Sequence, residues 1–187
     1  MTSNRTQFTV LQRSLHWLMA ACILAMLFIG VGMVSTVMPK YLPLLATHKT
    51  LGICILVLAI LRLGVRLRHG APPLPADMPM PMKLAAKGSH YAFYGLMIAM
   101  PLLGWGMLSA GAYPIVLYGN IQLPAILPQS DRLYTLLWSA HYYLAFAFFG
   151  LILMHLAAAL FHGLVRRDGV FESMAPNHSR KRVAPAE

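Results

Sequence analysis

The sequence predicts an all-α membrane protein, a four-transmembrane-helix up-down bundle with both termini in the cytoplasm. Three observations point there. Of the 187 residues, 58% are hydrophobic and only 11% are charged, whereas a soluble domain typically carries about a quarter charged residues. The apolar residues are blocked into long runs rather than spread in short amphipathic patterns. Lys and Arg gather at the ends of those runs, as the positive-inside rule requires.

Four runs are long enough to cross about 30 Å of hydrocarbon at about 1.5 Å per residue. They lie near 14–37, 44–67, 89–109 and 134–164. The first opens like a signal peptide, but Leu15 to Met38 is too long for such a segment and no small-x-small cleavage site ends it. It therefore reads as a retained span. The first link, Pro39 to Pro43, is short. The second, His69 to Met82, holds Pro72, Pro73, Pro75, Pro79 and Pro81 and is expected to be extended. The third, Gly111 to Ser130, mixes prolines with apolar residues and is expected to lie along the membrane surface. Residues 168–187 form a polar tail, expected to be loosely ordered in the cytoplasm.

Sidedness follows from the cations. Arg5, Arg13, Arg62, Arg66, Arg68, Lys83, Lys87, Arg166, Arg167, Arg180, Lys181 and Arg182 fall on one side, against Lys40, Lys49 and Arg132 on the other. Twelve against three puts the first side, and with it both termini, in the cytoplasm. Short links make successive helices antiparallel neighbours. The net charge of +10 is thereby accounted for by membrane lipid and orientation. No basic stripe interleaved with aromatics calls for nucleic acid. Cys22 and Cys54 lie inside apolar runs without any CxxC spacing and read as small buried apolar residues.

Six of the eight histidines (His16, His48, His90, His141, His155 and His162) lie in or at the edges of the spans, while His69 and His178 sit in polar segments. Ionisable side chains in a bilayer are costly and usually functional. Any one of them alone reads equally well as a hydrogen-bonded packing residue. As a set, their depths match. Counting from each span's midpoint, His16 lies roughly 14 Å and His155 roughly 9 Å towards the cytoplasm, while His48 and His141 both lie roughly 12 Å towards the outside. Two pairs result, and both share the fourth helix. His141 and His155 are fourteen residues apart, close to four turns, so both rings leave one face about 21 Å apart.

That stagger suits two haems stacked across the bilayer, with His16, His48, His141 and His155 as iron ligands. It is far too long for one zinc ion. Two neutral imidazoles per iron leave no open coordination position, so such iron moves electrons. The absence of CxxCH excludes covalent attachment and points to two non-covalent haems b. Arg13, Arg62 and Arg66 are candidate partners of haem propionates, or simply orientation signals. Gly30, Gly32, Gly52, Gly64, Gly95, Gly104, Gly106 and Gly150 allow either close approach of a flat macrocycle or ordinary helix packing.

The run Ser14-Leu15-His16-Trp17-Leu18 opening the first span resembles the start of the bacterial cytochrome b561 family. So do His48 with Ile60-Leu61-Arg62-Leu63 in the second span, His90 eleven residues before Pro101, and His141 followed by Leu153-Met154-His155 and His162 in the fourth. The similarity covers roughly residues 8 to 165. It implies a single dihaem transmembrane cytochrome b domain over 1–187, with His16 and His155 on one haem and His48 and His141 on the other. It also implies oxidation of superoxide, or another periplasmic electron donor, at the outer face. Electrons would pass to ubiquinone as a second substrate near the cytoplasmic end, where His162, His90 and Lys83 border the quinone. The chain departs from the family pattern in the second link, where Asp77 and Pro79 stand in place of lysines, and the nearest basic residues are Lys83 and Lys87.

Two other functions compete with this one. The first is a dihaem anchor subunit of a larger respiratory enzyme, such as a hydrogenase or formate dehydrogenase, for which only the third link could serve as a docking segment. The second is a haem-free proton or metal carrier. All five acidic residues (Asp77, Asp131, Asp168, Glu172 and Glu187) fall outside the predicted spans, which argues against the carrier.

Overall fold

The computed structural model describes residues 7–37 and 39–176. Four long helices carry the chain: α1 (Val10–Val34), α2 (Tyr41–His69), α3 (Met80–Ala110) and α4 (Asp131–Leu160). At about 1.5 Å per residue each is long enough to cross a bilayer. α1 starts on a capping box in which Thr9 and Gln12 satisfy each other's backbone N–H groups. α2 ends at Gly70, whose φ of 68° is the left-handed stop that glycine accepts without strain. Ser130 caps α4 through Leu133 N–H at 3.3 Å.

α3 begins nine residues before the sequence-predicted edge at 89. Pro81 sits in its first turn, where an absent N–H costs nothing because that donor has no helical partner. The proline-rich link is therefore shorter than expected, from Gly70 to Pro79.

Polar ties at the ends establish the up-down order. At the end bearing both termini, Gln12 donates to the Gly70 carbonyl at 2.9 Å, joining the start of α1 to the end of α2. Arg166 reaches Asp77 at 2.8 Å, joining the end of α4 to the link before α3. At the opposite end, Ser130 N–H donates to the Ala110 carbonyl at 2.9 Å. The third link does not simply lie along a surface. It turns back through a bridge between Val116 and Gln122 and a 3-10 turn at Tyr118–Asn120. Tyr118 then fastens to the start of α2, its N–H on Thr50 at 3.1 Å and its hydroxyl on Thr47 at 2.8 Å.

The packed core is thin. Met19, Ala59, Met97 and Phe148, one from each long helix, form its central cluster. Most other large apolar side chains face outward, the pattern expected where lipid replaces water. Cys22 is half-buried and Cys54 points outward, so Cys54 is not the buried small residue the sequence suggested.

Beyond α4 the chain makes a π-helical turn, Phe161–Arg166, and a short helix α5, Val170–Met174. Residues 168–176, expected to be loosely ordered, are tied to the start of α1. Phe8 N–H meets Ser173 O at 3.2 Å, Trp17 Nε1 meets Met174 O at 2.9 Å and Arg13 meets Ala175 O at 3.1 Å. His178 and the rest of the polar tail lie outside the described residues. The corner is held by Asp168, which accepts from His162 at 2.8 Å and forms an ion pair with Arg166 at 3.0 Å.

Burial works against ionisation of Asp168, but the bond from His162, the Val170 N–H and the charge of Arg166 outweigh it and hold the carboxyl below its usual range. A carboxylate depressed in this way contributes stability above the ordinary carboxylate pKa and loses it as pH falls through its own lower value. Hydrogen-exchange protection of residues 168–176, corrected for intrinsic rates, should therefore hold from about pH 7 to about pH 5. It should fall only below about pH 4. Arg166→Ala should reduce that protection already near neutral pH.

Candidate functional site

α4 is the common wall of two histidine pairs. His155 faces His16 of α1 with ring centroids 6.2 Å apart. His141 faces His48 of α2 at 6.1 Å. The helices behind these rings keep their distance: α4 packs on α3 and α1 on α2, while α4 makes little or no close backbone contact with α1 or α2. Each pair thus bridges a gap between helices instead of filling a packed interface.

The spacing has a direct chemical meaning. Two metal–imidazole bonds of roughly 2 Å, with about 1.1 Å from each nitrogen to its ring centre, span about 6.2 Å. Ring nitrogens Nδ1 of His16, His48 and His141 are buried without a hydrogen-bond partner, a costly state unless something outside the chain engages those rings. Among the described residues no cluster of three or more His, Cys, Asp or Glu side chains suits a bare ion. Two donors approaching from opposite sides fit a flat macrocycle that supplies the remaining ligands itself, as haem does. Glycines fit too. A side chain added at Gly30, Gly64, Gly95 or Gly150 would meet nothing within 4 Å, and Gly104 lies against the His141 ring.

The layer between the pairs was not singled out from the sequence. Phe148 lies seven residues from both His141 and His155, so it stands on nearly the same helix face midway between them. It meets Phe93 at 6.0 Å, and Phe93 meets His155 at 5.1 Å. The halfway spacing was a signal that could have revealed it.

At the termini-bearing end the remaining candidates separate. His90 joins the first pair, 6.4 Å from His155. Arg62 lies over the Tyr94 ring at 5.8 Å and is close enough to interact electrostatically with His16, His90 and His155. With Arg66, Gln12, Phe8, Tyr94 and Met174 it lines a small cleft. Arg13 turns instead to the Ala175 carbonyl, leaving its Nε buried and unpartnered. Lys83 donates to the Ala76 carbonyl at 3.1 Å. His162 is buried and bound to Asp168, and no hydrogen bond joins it to His90. Asp168 was missed by sequence reasoning, since six residues after His162 is no helical neighbour.

The chain is similar in sequence to known proteins over most of its length. The family model described as prokaryotic cytochrome b561 matches residues 7–177. Cytochrome b561 homolog 2 of Escherichia coli is 28% identical over 92% of this chain and 93% of its own length. The probable superoxide oxidase CybB of Yersinia pestis is 30% identical over 91% of this chain and 96% of its own. Cytochrome b561 homolog 1 of Escherichia coli is 28% identical over 91% and 97%. With four membrane-length helices and a histidine-lined interior, the chain belongs to the prokaryotic cytochrome b561 family of multi-pass membrane proteins, which transfer electrons across the bilayer and generally bind haem b.

Proposed function

We propose that the chain oxidises superoxide at its outer face and reduces ubiquinone near the cytoplasmic end, through two haems b held by His16 with His155 and by His48 with His141. The observation that carries this reading is the pair of iron-spanning histidine gaps on one face of α4. Bound between two imidazoles, each haem supplies a reversible one-electron site with no open coordination position. The overall change is two superoxide ions, one quinone and two protons giving two oxygen molecules and one quinol.

The protein's own residues do the rest. The histidines fix the two sites at opposite depths, and Phe148 with Phe93 fills the layer between them. Arg62 and Arg66 line the cleft at the termini-bearing end and would offer counter-charge to the propionates of an inner haem. Among the described residues Arg13, Arg62, Arg66, Arg68, Lys83, Lys87, Arg166 and Arg167 flank the termini-bearing end, against Lys40, Lys49 and Arg132 at the other. That asymmetry supports cytoplasmic termini in a bacterial inner membrane. The free-standing reading is favoured over an anchor subunit by the third link. Among the described residues, the one long link at the outer end is tied to its own helices by Tyr118, by Trp105 Nε1 on Pro124 O at 2.9 Å and by Ile126 N–H on Ser109 at 3.1 Å.

At the outer end, three cations oppose one acid, Asp131, and no ion pair engages Lys40, Lys49 or Arg132 among the described residues. Lys49 follows His48 directly, and Arg132 opens α4 nine residues before His141. A positive potential there concentrates a small anion. A haem held by His48 and His141 would accept the electron at this end, where Lys49 and Arg132 attract the anion.

His48→Ala or His141→Ala should remove only the outer haem, and His16→Ala or His155→Ala only the inner one, as read by visible spectra and redox titration of each variant. Loss of the outer site from His16→Ala would break the pairing. Pulsed superoxide should reduce the purified holoprotein rapidly, and the rate should fall as salt screens charge over about 8–10 Å. Lys49→Gln/Arg132→Gln should slow it severalfold at low salt and flatten the salt dependence. A rate indifferent to both would favour the anchor reading.

A further inference from the structure

The π-helical turn at the end of α4 makes a contact that a regular helix ending would forbid. Six residues apart on a continuing α-helix, His162 and Asp168 would lie about 9 Å apart along the axis and on different faces. Instead, Arg167 N–H closes onto the His162 carbonyl at 2.8 Å, and Arg167 takes the left-handed conformation at φ 51°. Gly169 follows at φ 81°. The chain doubles back, and Asp168 Oδ2 meets His162 Nδ1 at 2.8 Å, with side chains 9% and 10% exposed.

Both oxygens of Asp168 are fixed. Oδ2 also forms an ion pair with Arg166 Nε at 3.0 Å, and Oδ1 accepts from Val170 N–H at 3.3 Å. Arg166 is held in turn by Asp77 at 2.8 Å, whose side chain is 75% exposed. A charged chain therefore runs from water to one buried imidazole. With Nδ1 committed to Asp168, Nε2 is the ring's remaining nitrogen for an outside group.

We propose that Asp168 is a positioning residue for proton transfer. It holds His162 with the proton on Nδ1 and Nε2 directed to the carbonyl oxygen of the quinone. The inference rests on the quinone reading above and names the device that serves it. Each quinone takes two electrons, delivered singly through the chain from two superoxide ions that leave as oxygen, and two protons. For each proton the Nε2–H bond of the doubly protonated ring breaks as an O–H bond of the quinol forms. The ring returns to the neutral Nδ1–H form beside Asp168 and takes its next proton from water on the termini-bearing side. Asp168 balances the ring's charge while both nitrogens carry protons and forbids the wrong tautomer, the role a carboxylate plays behind a catalytic histidine.

The test uses haem-loaded protein in nanodiscs, reduced and then oxidised either by a short-chain ubiquinone or by ferricyanide, which takes an electron and no proton. Asp168→Asn should lower the quinone kcat by about tenfold to a hundredfold, with KM within about twofold and ferricyanide oxidation unchanged. Asp168→Glu should recover most of the loss. In wild type, selectively ¹⁵N-labelled histidine should give a His162 signal, assigned by its loss in His162→Gln, that carries a proton on Nδ1. In Asp168→Asn the proton should redistribute between the nitrogens. An Asn variant as fast as wild type, equal slowing with both acceptors, a change in KM alone, or a His162 signal protonated at Nε2 and not at Nδ1 in wild type would each overturn the proposal. If wild type reduced no quinone while passing electrons to ferricyanide, the quinone reading itself would fall. That result is distinct from a functioning quinone site indifferent to Asp168.

Discussion

An imidazole placed in hydrocarbon must have its nitrogens engaged, or it destabilises the fold by the cost of an unmet polar group. Four histidines of this chain face one another across gaps, and Nδ1 of His16, His48 and His141 is buried there without a partner. His16 with His155 and His48 with His141 stand 6.2 and 6.1 Å apart, centre to centre, between helices whose backbones do not pack closely. The rest of the bundle is arranged around those gaps. α3 backs α4 closely, α1 backs α2, and a single layer of Met19, Ala59, Met97 and Phe148 closes the centre. A thin apolar core suffices because the bilayer, not water, surrounds the remaining side chains.

The two ends of the bundle are finished differently, and each finish matches a chemical demand. At the end opposite the termini the third link is pinned to α2 beside His48 by Thr47, Thr50 and Tyr118, so the second histidine pair lies under ordered chain with cations nearby. At the termini-bearing end a chain of charges runs inward: Arg166 links the exposed Asp77 to the largely buried side chain of Asp168, and Asp168 holds His162. Asp77 stands where the family resemblance expected a lysine. The structure gives it a partner in Arg166, so the second link is fastened to α4 by an acid reaching a base on the helix, a reversal of the expected charge.

Much of this was legible in the sequence, because hydrophobic length and helical periodicity are local properties. Four spans, their antiparallel order and the pairing of His16 with His155 and His48 with His141 follow from run lengths and from fourteen residues being close to four turns. The start of α3 at Met80 was obscured by prolines, which read as breakers although a first turn tolerates them. Asp168 was illegible for a sharper reason. Its approach to His162 depends on a π-helical turn and a left-handed Arg167, neither of which any periodicity announces. The same holds for Tyr118, which reaches Thr47 across 71 positions of sequence. Arg13 had the right charge and position for a propionate, yet the C-terminal segment captures it, a tertiary contact invisible from α1 alone.

The central claim is that each histidine gap holds one haem between two imidazoles. The most direct measurement is haem content per chain of purified protein by pyridine haemochrome, paired with low-temperature electron paramagnetic resonance of the oxidised form. The account predicts two haems b per chain, both low-spin with two nitrogen axial ligands. One haem or none per chain, or a high-spin signal from an open iron position, would contradict it.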